Sequence, residues 1–187
     1  MSFLPTVALI LAGTFLVTDR LTWLMIRLAP RLGLIDHPGE RRIHSTAVPR
    51  AGGIAIYIAL MAGMAVMWKS YLPAQYGSLL LRENWVLWFG GSASLLVAIG
   101  VIDDRFNIPA WWKLAGQILA ASAMFFGTQE QIGVLYGIRL PWWIDWGVYV
   151  LWVVALVNAF ILIDGMDGLC AGLGLISVGI LCLLAGV

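Results

Sequence analysis

Asn158-Ala159-Phe160-Ile161-Leu162-Ile163-Asp164-Gly165-Met166-Asp167-Gly168-Leu169 is the stretch on which the reading of this chain turns: a long apolar run ends in two carboxylates three residues apart. An ionised group at the margin of a bilayer helix is costly and normally pairs with a counter-ion or lines a wet cavity. A second acidic pair, Asp103-Asp104, closes another apolar run earlier in the chain. The expectation is that these two acidic ends meet on one face of a membrane.

The composition agrees with that reading. Hydrophobic residues make up 61% of the 187 and charged residues only 11%, where soluble domains carry about 25% charged, so the chain reads as an integral membrane protein. A net charge of +1, with no basic helix and no interleaving of basic and aromatic residues, argues against a nucleic-acid partner. Cys170 and Cys182 share one apolar run without a CxxC or Cys/His cluster and read as free thiols. Residues 1–18 carry no basic residue ahead of the apolar run and no small-x-small cleavage site, so they read as a retained span or signal anchor.

A span needs roughly 20 apolar residues. Six candidates result: Phe3 to Leu28, Gly53 to Trp68, Trp85 to Ile102, Pro109 to Phe126, Trp142 to Ile163, and a run from Gly168. The expected fold is therefore all-α, a polytopic transmembrane protein of about six spans forming a single membrane domain over residues 1–187. Trp68, Tyr71, Trp85, Trp111, Trp112, Trp142, Trp143 and Trp146 mark span edges as interface belts do. Arg27, Arg31, Arg41, Arg42 and Arg50 concentrate between spans one and two, which places that bend in the cytoplasm and the amino terminus outside. Alternation then brings Asp103-Asp104 and Asp164 to Gly168 to the cytoplasmic face. The last apolar run continues flush to residue 187, so the chain reads as cut off.

On this topology both acidic pairs sit at helix carboxyl ends, where the macrodipole is negative and a carboxylate is disfavoured. A cation should offset them, and hard oxygen ligands suit Mg²⁺ or Mn²⁺. The plainer alternative makes all four aspartates solvated interfacial residues, with Asp167 capping the next helix. The bend from Asp36 to Gly53 carries Arg41, Arg42 and His44, whose donors suit a phosphate headgroup or diphosphate; topology alone accounts equally well for Arg27 and Arg31. Lys113 lies one or two turns into span four. It can snorkel to lipid phosphate, compensate Asp103 or Asp104, or contact a substrate phosphate, and the residues leave these three open.

Together, Asp36-x-Pro38, Arg41-Arg42-x-His44, Pro49-x-x-Gly52-Gly53, Asp103-Asp104 with Lys113-Leu114-x-x-Gln117, and Asn158-Ala159 leading to Asp164-Gly165-x-Asp167-Gly168 resemble the polyprenyl-phosphate N-acetylhexosamine-1-phosphate transferases. This membrane family includes enzymes that start O-antigen, enterobacterial common antigen and teichoic acid synthesis, and phospho-MurNAc-pentapeptide translocase. The resemblance implies that undecaprenyl phosphate attacks the sugar-linked phosphorus of a UDP-N-acetylhexosamine, giving a polyprenyl-diphospho-sugar and UMP, with Mg²⁺ required. It assigns lipid-phosphate activation to Asp103 and Asp104, and metal binding to Asp103, Asp104 and Asp167. It assigns substrate contacts to Arg41, Arg42, His44, Lys113, Asn158, Asp164 and Asp167. It also implies a bacterial cytoplasmic membrane location with the active face inward, and it leaves a homodimer open.

Two features depart from the pattern. Ile161 stands where the family usually carries a second asparagine, in the middle of the ridge 158, 161, 164, 167. The chain also corresponds to about the first half of a fold of roughly ten or eleven spans. A non-catalytic fragment or pseudoenzyme is therefore the second reading. An ion-coupled transporter is the third; it predicts carboxylates near mid-bilayer on broken helices, whereas here they fall at span ends.

Overall fold

A computed structural model describes residues 3–36, 48–70, 83–128, 132–135, 138–163 and 168–184. They form helices α1 (Phe3–Leu32), α2 (Gly52–Ser70), α3 (Glu83–Phe106), α4 (Ala110–Thr128), α5 (Trp142–Ile163) and α6 (Leu169–Leu184). Two short antiparallel ladders join them: β1 (Ile35–Asp36) with β2 (Val48–Pro49), and β3 (Val134–Leu135) with β4 (Ile138–Arg139). The architecture is all-α, as expected, with the ladders confined to the connections. Val7–Leu32, Trp85–Phe106 and Trp142–Ile163 are long and apolar enough to cross a membrane; Gly52–Trp68 and Leu169–Leu184 are shorter apolar helices. The chain divides into two compact units, Met1–Gln129 and Glu130–Val187.

In the first unit, α1 packs on α2, and α3 on α4. Ala55, Ala59 and Gly63 recur every fourth residue along α2, and both alanines are buried. A Cβ on Gly63 would come within 2.6 Å of Thr14 Oγ1, so small side chains let the two backbones approach closely, the usual device where lipid removes the hydrophobic drive between helices. The seam between α3 and α4 follows the same rule. A Cβ on Gly116 would collide with the Ile99 side chain, and one on Gly127 with the Trp88 indole. These contacts are equally spaced along the two antiparallel helices, and the register they set carries on to their joined ends. The Tyr57 hydroxyl and Ser94 Oγ share a hydrogen bond between α2 and α3.

Two helix stops give the first unit its shape at the end that holds the acidic pair. Pro30 lies in the last turn of α1, and Gly33 follows with φ +71°. Leu34 N–H then donates to Ala29 O at 3.0 Å, a Schellman closure in which the flanking apolar residues meet. Leu34 and Ala29 indeed bury together with Ala51, against Met25, Ile54 and Val101. Helix α3 stops at Asn107, whose φ of 49° is the left-handed conformation asparagine tolerates. Its N–H donates to Asp103 O at 2.8 Å. Pro109 follows, and α4 starts directly after it.

In the second unit, Asp145 lies in the first turn of α5 and is 1% exposed. Its Oδ1 accepts from Ile132 N–H at 3.0 Å and its Oδ2 from Gly133 N–H at 3.2 Å. The carboxylate therefore ties the start of α5 to the connection before β3, at the helix end where the macrodipole favours a negative charge.

Candidate active site

The α3–α4 register brings Lys113 across from Asp103, Nζ to Oδ2 2.7 Å. This pairing shows compensation of the acidic pair, one of the three roles the sequence left open for Lys113. Asp104, the next residue round the helix, meets Arg50, Nη1 to Oδ1 3.6 Å. Arg105 in the last turn of α3 adds a third positive charge at the negative end of that helix. Two adjacent carboxylates that repel each other are thus each matched by a cation, one from α4 and one from the residue after β2.

The match is incomplete. Asp103 Oδ1 is buried and has no hydrogen-bond partner, an arrangement that costs about 1–3 kcal/mol unless something completes it. An open carboxylate oxygen beside a second carboxylate is a donor set that fits a hard cation such as Mg²⁺. Among the described residues no group of three or more His, Cys, Asp or Glu side chains converges. Gln117, one turn beyond Lys113 on α4, is buried.

Beside the ion pairs, Ile99 and Ile102 of α3, with Ile108, Pro109, Trp112 and Gly116, line an open apolar groove of about 530 Å³. Ile102 and Trp112 are the chain neighbours of Asp103 and Lys113. A phosphate-compatible polar cluster and an apolar groove therefore lie at one end of the seam.

Asn158 lies on α5 in the second unit, exposed, with Nδ2 donating to Val154 O at 2.8 Å. Ile161, one turn on, is also exposed. Arg41, Arg42, His44, Asp164 and Asp167 lie outside the described residues. Arg50 was read from sequence as one of five topology-setting arginines and as part of the phosphate-suited bend from Asp36 to Gly53, without a partner assigned to it. Its position between Pro49 and Gly52-Gly53, just ahead of a helix, was the signal that a turn holds it in place. Asp145 was missed, although a lone acid in the first turn of an apolar helix is a visible sign.

Residues 85–187 match the family described as glycosyl transferase family 4. The chain is 36% identical, over 96% of its length, to 46% of the decaprenyl-phosphate N-acetylglucosaminephosphotransferase of Mycobacterium leprae (strain TN). It is 31% identical, over 93% of its length, to 46% of the undecaprenyl-phosphate alpha-N-acetylglucosaminyl 1-phosphate transferase of Escherichia coli (strain K12). The probable undecaprenyl-phosphate N-acetylglucosaminyl 1-phosphate transferase of Bacillus subtilis (strain 168) is 28% identical over 88% of this chain and 44% of its own. The chain thus spans less than half the length of these relatives. No solved structure matches it significantly.

Proposed function

Because the chain belongs to glycosyl transferase family 4, we propose that it supplies the lipid-phosphate end of a site that transfers N-acetylglucosamine 1-phosphate from a UDP-sugar to a polyprenyl phosphate. The names of its relatives support the acceptor and the sugar; the UDP donor follows from the motif resemblance. In this reaction an oxygen of the lipid phosphate bonds to the sugar-linked phosphorus. The bond from that phosphorus to the bridging oxygen breaks, and its electron pair leaves with UMP.

Phosphoryl transfer of this kind is mostly positioning and charge neutralisation. Lys113 and Arg50 offer donors to phosphate oxygens, and the apolar groove beside them suits an isoprenoid chain. Asp103 and Asp104 would hold Mg²⁺, which supplies neutralisation of the phosphate oxygens when bound. Asp164, Asp167, Arg41, Arg42 and His44 complete the nucleotide-sugar contacts in this reading, at the inner face of a bacterial cytoplasmic membrane. The observation that carries the proposal is the Asp103–Lys113 and Asp104–Arg50 pairing around one unsatisfied carboxylate oxygen.

The test places this chain in front of the unmatched remainder of the Mycobacterium leprae relative and assays membranes with labelled UDP-N-acetylglucosamine and decaprenyl phosphate. Mg²⁺-dependent UMP release with label entering lipid is the expected result, lost in Asp103→Asn. Undiminished transfer by Asp103→Asn, or none by the parent chimaera, refutes it. Ile161, standing where the family usually carries a second asparagine, favours a non-catalytic chain as the second reading. An Ile161→Asn chimaera that gains transfer where the parent has none would support that alternative.

A further inference from the structure

Helix α1 carries an ionisable pair in the middle of its apolar length. Asp19 and Arg20 lie at the centre of Val7–Leu32, the 26-residue stretch long and apolar enough to cross a membrane. The packing of α1 on α2 gives their depth. Ala29 packs with Ala51 and Ile54 at one end of this antiparallel pair, and Thr14 faces Gly63 further along. Asp19 and Arg20 are therefore level with residues 57–58 of α2, roughly 8–9 Å inside its amino end at about 1.5 Å per residue. Ionised groups at such a depth are costly and face a protein partner or a wet cavity.

The described residues supply neither. At about 100° per residue, Thr14, Met25 and Ala29 turn toward α2, and Asp19 and Arg20 fall on the side away from it. Their side chains are 66% and 84% exposed, and their one ion pair is with each other, Arg20 Nε to Asp19 Oδ2 at 3.8 Å, too long for a hydrogen bond. The same side carries Leu9, Leu16 and Trp23 at seven-residue intervals, all more than half exposed, which is the spacing of a helix–helix seam. Asp19 borders that seam on one side and Arg20 on the other. Arg27 stacks over Trp23, 3.4 Å from the ring centroid, at the inner end of the seam.

We propose that this face of α1 binds a second copy of the same chain, with Asp19 of each copy paired to Arg20 of the other. Two copies inserted with the same topology are related by a two-fold axis along the membrane normal. That axis sets the two α1 helices parallel and opposes the Asp19 border of one seam to the Arg20 border of the other. Residues 19 and 20 differ by about 1.5 Å in height, so both ion pairs form at one depth while Leu9, Leu16 and Trp23 meet across the axis. Charge complementarity selects this occupant. One charge of each sign at one depth is satisfied by a copy of itself, whereas an anionic headgroup would meet Asp19 as well as Arg20. The interface stands whether or not the chain transfers a sugar phosphate.

The test follows energy transfer between donor- and acceptor-tagged full chains in phosphatidylethanolamine–phosphatidylglycerol vesicles, over a dilution series in lipid. Parent chains should associate. Asp19→Arg and Arg20→Asp each place like charges at both contacts and should weaken self-association at least about tenfold. An equimolar mixture of the two opposes unlike charges again and should recover association to near that of the parent. The double variant, Asp19→Arg with Arg20→Asp, keeps the net charge; it should self-associate and should not mix with the parent. A parent that stays monomeric, single variants that associate as well as the parent, or a mixture no better than either variant alone would each overturn the proposal. If the single variants do not insert, the double variant decides: failure to insert, no self-association, or free mixing with the parent overturns it. A monomeric parent whose Arg20→Gln form loses co-purifying phosphatidylglycerol assigns the face to a lipid headgroup instead. The readout is association alone, so loss of the transferase reading does not imitate loss of this one.

Discussion

Replacing Lys113 with methionine keeps the length of the stem and removes one charge, 2.7 Å from Asp103 Oδ2. Two unit charges at that separation attract by about 1.5 kcal/mol under bulk-water screening and by several times more in a protein interior. The side chains keep 36% and 26% of their surface exposed, so the pair sits above the roughly 0–1 kcal/mol of a fully exposed bridge, at about 1–2 kcal/mol of coupling. The single substitution should cost more than the coupling. Asp103 Oδ1 already lacks a partner, and losing the ammonium leaves the second oxygen unmatched as well, adding about 1–2 kcal/mol. Lys113→Met is therefore expected to destabilise the first unit by about 2–4 kcal/mol. The double variant Asp103→Leu with Lys113→Met removes the stranded carboxylate and should be more stable than Lys113→Met alone. Unfolding in mixed micelles, followed by far-ultraviolet circular dichroism with SDS as denaturant, gives all four corners of the cycle. Additivity within about 0.3 kcal/mol would falsify the pairing, because residues in contact must show a coupling term.

Other perturbations test other parts of the structure. Asp145→Asn replaces one carboxylate oxygen by an amide donor facing an N–H, and is expected to cost about 2–3 kcal/mol and to speed hydrogen exchange at Ile132 and Gly133; exchange as slow as in the parent would count against both hydrogen bonds. Gly116→Val drives a branched side chain into Ile99, so α3 and α4 should separate at a cost of about 1–3 kcal/mol, read as a lower melting temperature in micelles. Gly91→Ala, where a Cβ meets nothing within 4 Å, is the control and should not lower melting, since alanine is the better helix former. In the chimaera assay, Asp104→Asn should reduce Mg²⁺-dependent transfer at least tenfold, about 1.4 kcal/mol of barrier; an unchanged rate would remove Asp104 from the site.

Sequence by itself determined which stretches are helical, because an apolar run near membrane length is a local property that needs no partner to be read. Trp142 to Ile163 is expected and found with the same ends, and the other helices differ only by a few residues at their termini. It also marked Asp103-Asp104, since adjacent charges closing such a run demand compensation wherever the chain goes next. What the tertiary structure decided is where that compensation comes from. Lys113 had no identified partner until Gly116 and Gly127 set the α3–α4 register that puts it across from Asp103, and Arg50 was one arginine among five until the buried alanines and the β1–β2 ladder carried it to Asp104. Those pairings depend on how closely two backbones approach. That distance is set by side chains missing from the contact, the glycines and alanines, rather than by the charged residues that the contact brings together.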